Sequence, residues 1–418
     1  MRPTALPALA LLALLAAMAG LYGGDAEAYL RLRVAAGLMP FEPFLDLHGV
    51  MSAIACHDRG IDVYAANPCD TLGRLHEYSP LWLRLPSLFG REDLTLALGV
   101  ALAVGFILSL LALPAPRGRW AAVAMFLAVV SPDTVFALER ANMDVLIFIG
   151  VLAGARLLAG GLRARVAGYG LFLAAGLLKF YPLVLLGLMV RERPAVAAKL
   201  AAGAAALLAL AVVPLAGEFE RAVENILPLP VFSGTFGAQQ LSDGIATLRP
   251  GETAMRALVK LKLRAMALAT ALWLAADSRV AAALAALPRR QADMLLVGGA
   301  LVVGCFMAGQ SVEYRAVFLL MALPALLSPG RAGRLAWVFR ATAAIVVWLL
   351  WDPLLRRLIG RLAPAEGDVP GLPGLALWTV RELLWWWVVA VLAGLLAALL
   401  RRAPAGQRAS GLSASQSA

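Results

Sequence analysis

The chain has 418 residues, 61% of them hydrophobic and only 15% charged, with a mean hydropathy of +0.81. A soluble protein carries nearer to about a quarter charged residues, and a membrane barrel alternates with period two; this chain does neither. The formal charge of +11 falls largely as Arg pairs at the ends of apolar runs, which is the pattern of a helical membrane protein and not of a nucleic-acid binder.

In chain order, the run from Ala5 to Ala19 follows Arg2 and reads as a first membrane helix with its N-terminus inside. Ala17-Met18-Ala19 offers the alternative of a cleaved signal peptide. Residues 23–93 then form a long polar outer loop holding all three histidines, with Cys56 and Cys69. Three cysteines make no disulfide framework, but these two can bridge in an oxidising compartment, while Cys305 sits in an apolar run and reads as packed. Spans follow from Leu94 to Leu113, Trp120 to Leu138 and Val145 to Gly161, with a basic inner turn at Arg117 and Arg119. A charged outer turn lies at Glu139 to Asp144.

The stretch from Val166 to Val190 is about 25 residues, long enough for one helical pass at ~1.5 Å per residue. It is flanked by Arg163 and Arg165 before and Arg191 and Arg193 after, so both ends belong inside. Pro182 disfavours helical geometry at Tyr181, which predicts a broken hairpin of two half-length helices meeting near Lys179.

Further spans are expected from Val196 to Ala216, Leu263 to Leu287, Met294 to Ala308, Ala316 to Ser328, Leu335 to Trp351 and Leu377 to Leu400. The stretches 218–262, 309–315 and 352–376 then face outward, and Asp277 falls inside a span. The fold class is all-α and polytopic, with about ten to twelve membrane segments including the hairpin at 166–190. Residues 1–402 form one transmembrane domain, and 403–418 read as a disordered cytoplasmic tail. Trp378, Trp385, Trp386 and Trp387 read as an interfacial belt.

No phosphate loop, H-E-x-x-H or G-x-S-x-G motif is present, and the inner loops are too short for a nucleotide. An enzyme working from the outer side must therefore draw an activated substrate from the membrane, such as a lipid-linked phosphate. Asp46 and Asp25 are the candidate general bases; Glu27, Asp62, Asp70 and Glu77 read as structural. His48, His57 and His76 fit no standard zinc spacing and read as ordinary loop residues. Lys179, a charge at membrane depth, needs an acidic partner or an anionic ligand. Arg315 can also meet a phosphate, and Arg140, Asn142 and Asp144 crowd polar groups between two apolar spans.

Several stretches carry a resemblance: Asp46-Leu-His48, Gly60-Ile-Asp-Val-Tyr64, Asn67-Pro-Cys-Asp70, Tyr78-Ser-Pro80-Leu-Trp82, Glu139-Arg-Ala-Asn142-Met-Asp144, Leu178-Lys179-Phe-Tyr-Pro182 and Glu313-Tyr-Arg315. In this order they resemble the polyprenyl-phosphate-dependent GT-C glycosyltransferases, especially the family 87 mannosyltransferase-like membrane proteins. The resemblance implies a GT-C fold, an Asp of the first outer loop as base, a polyprenyl-phosphate sugar as donor and a lipid or glycan acceptor. By spacing to the Gly-x-Asp-x-Tyr segment, Asp46 matches that base, with Asp25 as its rival. The family usually has Gly where this chain has Ala141. The expected function is inverting transfer of a hexose or pentose, mannose foremost, at the outer face of a bacterial inner membrane, with Lys179, Arg315 and Arg140 expected at the donor phosphate and Asn142, Asp144, Tyr78, Tyr181 and Glu313 at the substrate. Both termini are then cytoplasmic and membrane lipids are the surroundings. No cofactor or nucleic acid is called for, and a divalent metal is left open. A transporter or flippase of a lipid-linked sugar and a non-catalytic envelope-assembly protein are the alternatives.

Overall fold

The computed structural model describes residues 4–38, 42–226, 228–328, 332–362 and 369–401; the expected tail at 403–418 lies outside them. The described chain is all-α apart from one two-residue antiparallel pair, Thr235–Phe236 with Ser311–Val312. Seven helical stretches are long and apolar enough to cross a membrane: Ala5–Gly24, Glu92–Leu110, Arg119–Glu139, Pro194–Glu224, Arg289–Ala308, Gly333–Leu350 and Leu372–Leu400. The higher count expected from sequence took in shorter or more polar helices. Met143–Leu157 has 15 residues, Leu162–Lys179 carries three basic residues, and Thr253–Ala276 holds Arg256, Lys260, Lys262 and Arg264. The span expected to begin at Leu263 instead begins at Thr253, and a separate helix Ser278–Ala285 follows it.

Leu372–Leu400 is the central pillar, packed against Thr253–Ala276, Arg289–Ala308 and Ala336–Leu350. Small residues let helices close on one another where no side chain fits. A Cβ at Gly298 would stand 2.7 Å from the Phe318 carbonyl oxygen, and one at Gly154 would stand 2.4 Å from the Phe172 ring. The tryptophans of the pillar are a correction to the expected belt: Trp378, Trp385 and Trp386 are buried. Trp385 stacks on Phe236 at 4.0 Å, Trp386 meets Phe306 edge-on, and the Trp387 indole N–H donates to Thr342. These rings are core, because inward-facing positions of a central helix offer more apolar contact than an interface does.

The hairpin is present, with two corrections. Its break falls at Phe180 (φ 49°, ψ −61°), one residue earlier than the restricted Tyr181. The arms are not half-length: Leu162–Lys179 has 18 residues of α-helix and Tyr181–Arg191 has 11 of 3₁₀-helix. At about 1.5 and 2.0 Å rise per residue these reach about 27 and 22 Å, each most of the way across a bilayer. Their far ends are clasped by Arg165, which donates to both oxygens of Glu192 at 2.8 and 3.0 Å. Arg191 pairs with Asp293 at 2.8 Å, and Arg289 donates to the Leu158 carbonyl, so the arginine-rich turns gather at one end of the molecule. Asp277, expected inside a span, instead caps Ser278–Ala285 by accepting from the Arg279 amide; nearby, Arg401 donates to the Ala275 carbonyl.

The opposite end is built from residues 25–38 and 42–94 and the tips of later helices. Much of that expected loop is helical, as Ala26–Ala35 and Leu45–Asp58. Ala5–Gly24 packs along Thr95–Leu110 and Arg119–Val129.

Candidate functional site

The segment after Leu45–Asp58 is short of regular structure and is held by specific contacts. Cys56 and Cys69 are bridged (S–S 2.09 Å), closing the chain over 13 residues. Asp70 accepts from the Arg74 amide and from the Arg74 guanidinium at 2.7 and 2.9 Å. Burial raises the Asp70 carboxyl, but these bonds outweigh it and hold it below the usual carboxylate range. The His76 amide donates to the Val63 carbonyl, its Nε2 donates to the Ser79 carbonyl at 3.3 Å, and Asn225 donates to its carbonyl. Burial lowers the His76 imidazole to about 4, so it is neutral near pH 7. The Ser79 hydroxyl accepts from Leu81 at the start of Pro80–Arg84, and the Trp82 indole donates to the Leu178 carbonyl at 3.1 Å. That last bond ties the loop to the tip of the hairpin.

At this tip the polar residues meet. The Phe44 and Asp46 amides donate to the carbonyls of Glu139 and Arg140, which seats the first turn of Leu45–Asp58 on the turn 139–144. Asp46 accepts from Arg140 Nε at 2.9 Å and Arg140 Nη2 on its other oxygen, from Asn142 Nδ2 at 2.6 Å, and from Arg74 Nη1 at 3.4 Å. Asn142 caps Met143–Leu157, its Oδ1 accepting from the Asp144 amide and from Lys179 Nζ, both at 2.9 Å. Asp144 in turn is paired with Lys179 at 2.8 Å and Arg315 Nε at 3.4 Å, and accepts from the Tyr181 hydroxyl at 2.8 Å. Lys179 Nζ lies 5.3 Å from the Tyr78 ring centroid and 5.8 Å from that of Tyr314. Asn142 is thus the bridge between two carboxylate centres, each holding cations.

Eight of the ten residues expected to act together are therefore assembled: Asp46, Arg140, Asn142, Asp144, Lys179, Arg315, Tyr78 and Tyr181. Two are corrections. Asp25 caps Ala26–Ala35 by accepting from the Ala28 amide at 2.8 Å, and among the described residues no hydrogen bond joins it to the cluster. Glu313 belongs to a second buried network: it pairs with Arg356, which also reaches Asp352 at 2.6 Å, and Arg381 links Asp352 to Glu382. Glu139 likewise turns away, to Arg33 at 2.6 Å and the Tyr29 hydroxyl at 2.6 Å. Ala141 adopts φ 43°, the left-handed region where a glycine is free of strain.

Sequence reasoning missed Arg74, Tyr314 and Ser311, which accepts from Arg315 Nη1 at 3.0 Å. It also set aside Glu77, which is exposed, makes no hydrogen bond or ion pair within 4 Å among the described residues, and has Lys179, Asp46, Arg74 and Arg315 as its charged neighbours. Only the assembled fold brings this loop acid within electrostatic reach of the cluster. Among the described residues no group of histidine, cysteine and carboxylate side chains is arranged to hold a metal ion.

An apolar cavity of about 440 Å³ lies between Tyr181–Arg191 and Pro194–Val212, lined by Leu186, Met189, Ala197, Ala201, Ala204 and Leu208 among others. It borders the far half of the Tyr181–Arg191 arm, from Leu186 to Val190, and does not reach the tip at Lys179. Comparison with known protein families, with curated proteins and with solved structures returns no match.

Proposed function

We propose that the protein is a membrane glycosyltransferase of the GT-C kind. It transfers a hexose or pentose, mannose foremost, from a polyprenyl-phosphate sugar to a lipid or glycan acceptor at the outer face of a bacterial inner membrane. The observation that carries this reading is the convergence of Lys179 and Arg315 on Asp144, beside Asp46 and Arg140, at the tip of a broken hairpin. Arg315 spends Nε and Nη1 on Asp144 and Ser311, and its Nη2 has no acceptor among the described residues. That donor suits a phosphate oxygen.

Two further features support it. The apolar cavity at the far half of the Tyr181–Arg191 arm suits an isoprenoid chain that runs down the hairpin from a phosphate at its tip. The Cys56–Cys69 bridge lies on the same end as the cluster, which fits an oxidising compartment, while the arginine-rich turns at the other end fit the cytoplasmic side.

In the reaction the acceptor oxygen attacks the anomeric carbon as the bond from that carbon to the phosphate oxygen breaks. The electron pair leaves on the polyprenyl phosphate, where Lys179 and Arg315 meet the growing charge in a site poor in water. Asp46 orients Arg140 and Asn142, and Asn142 carries that order to Lys179. Purified protein with radiolabelled polyprenyl-phosphate sugars and a membrane lipid extract tests the reading. One donor should label a product, and Arg315→Ala should slow transfer by about 10²–10³-fold, the usual effect of removing one such donor. Sugar or lipid movement across vesicles with no covalent product would instead support a transporter.

A further inference from the structure

Transfer to a hydroxyl needs a group that takes its proton, and four acids lie in or beside the cluster: Asp46, Asp70, Asp144 and Glu77, the last preceding Tyr78, whose ring is 5.3 Å from Lys179 Nζ. Three of them are occupied. Asp46 accepts four hydrogen bonds from Arg74, Arg140 and Asn142 and is 6% exposed. Asp70 is filled by Arg74 and by two backbone amides, and is 4% exposed. Asp144 is fully buried between Lys179, Tyr181 and Arg315. Each of these carboxylates is turned toward protein donors, so its oxygens are taken up within the fold and not offered to a substrate hydroxyl.

Glu77 differs on each count. It is exposed, and none of its oxygens is engaged by a donor among the described residues. Its backbone is nonetheless fixed on both sides, by the three bonds of His76 before it and by Tyr78, packed under Lys179, after it. An open carboxylate on a rigid segment, beside cations that suit a phosphate, is the arrangement a general base needs.

The geometry points to Glu77 as the general base that deprotonates the acceptor hydroxyl, an assignment that rests on the glycosyltransferase reading above. The acceptor O–H proton passes to the Glu77 carboxylate, and the freed oxygen forms its bond to the anomeric carbon. The bond from that carbon to the phosphate oxygen breaks, and its electron pair stays on the polyprenyl phosphate. One negative charge is thus lost at Glu77 as one develops on the phosphate, so the net charge of the site is unchanged through the step. Surrounding protein strips part of the water from the Glu77 carboxyl, open to solvent though the side chain is, and raises it above the usual carboxylate range; Lys179 opposes the rise, Asp46 adds to it, and Arg74 and Arg315 oppose it. A base shifted toward the working pH is the more effective one.

The test compares wild type, Glu77→Gln, Glu77→Asp and, as a control, Asp25→Asn, which keeps a helix cap. Each purified full-length protein is given radiolabelled polyprenyl-phosphate mannose, or whichever labelled donor of the panel wild type uses, and a membrane lipid extract. Glu77→Gln should lower kcat by at least about 10²-fold, with the donor KM changed less than about threefold and the melting temperature kept. Wild-type transfer should rise with pH through the Glu77 titration, and that rise should vanish in Glu77→Gln. Glu77→Asp should retain part of the rate, and Asp25→Asn all of it. Glu77→Gln within about threefold of the wild-type rate overturns the base while leaving the glycosyltransferase reading intact. A wild type silent with every donor overturns that reading itself. Independently of turnover, Glu77→Cys should react with a charged methanethiosulfonate, since the other free cysteine, Cys305, is buried; failure to label contradicts the open position.

Discussion

Arg33 and Glu139 form an ion pair with almost no access to water, at 0% and 4% side-chain exposure. Removing one partner of such a pair leaves a buried charge behind, at a cost of about 3–5 kcal/mol. Glu139 precedes Arg140 and Asn142, so this pair anchors the turn that presents both to Asp46. Arg33→Met should therefore destabilise the protein by roughly that amount in a denaturation series, and Arg33→Met with Glu139→Leu should recover most of it. His76 sets a second residue-scale expectation. Its imidazole is lowered from 6.5 to about 4 by burial, among Tyr64, Tyr78 and His57, so the unfolded chain takes up the proton first. Its contribution is complete above about pH 6.5 and is lost as pH falls toward 4, up to about 3 kcal/mol. Melting at pH 5 should lie below melting at pH 7.5, and His76→Gln should narrow that gap.

At the scale of elements, the Cys56–Cys69 bridge holds the segment that carries Asp70, Arg74, His76 and Glu77. A bridge closing a loop of this size contributes about 3 kcal/mol by limiting the unfolded chain. The pair Cys56→Ser and Cys69→Ser should lower the melting temperature and cost transfer activity, while Cys305→Ser should do neither. The hairpin was legible because two local signals agreed: arginines at both ends and a proline between. Its details were not, since the choice of a 3₁₀ second arm and of Phe180 as the break depends on what packs around them. The tryptophans misled for a related reason. A run of three adjacent indoles on a helix points in several directions, and sequence alone does not say which face meets Phe236, Phe306 and Thr342.

At the scale of the whole molecule, the arginine-rich turns stand at one end and the Asp46–Asp144 cluster at the other, with apolar helices between them. Charge distribution made that polarity legible, and the family resemblance grouped Asp46, Arg140, Asn142, Asp144, Lys179 and Arg315 into one candidate site. What stayed hidden were contacts across long stretches of chain. Asp25 and Asp46 read alike in sequence, and only the turn at 139–144 docking on Leu45–Asp58 separates them. Glu313 sits two residues from Arg315, yet the 3₁₀ turn Glu313–Phe318 sends the two side chains to different networks.

The central claim is that Lys179 and Arg315 form a seat for a lipid phosphate, and binding of polyprenyl monophosphate to the purified protein tests it without needing the sugar or the acceptor. Wild type should bind it, and Arg315→Ala should bind at least about tenfold more weakly, the loss of one charge-assisted contact. Equal binding by both proteins, or none by wild type in a lipid environment, would contradict the account.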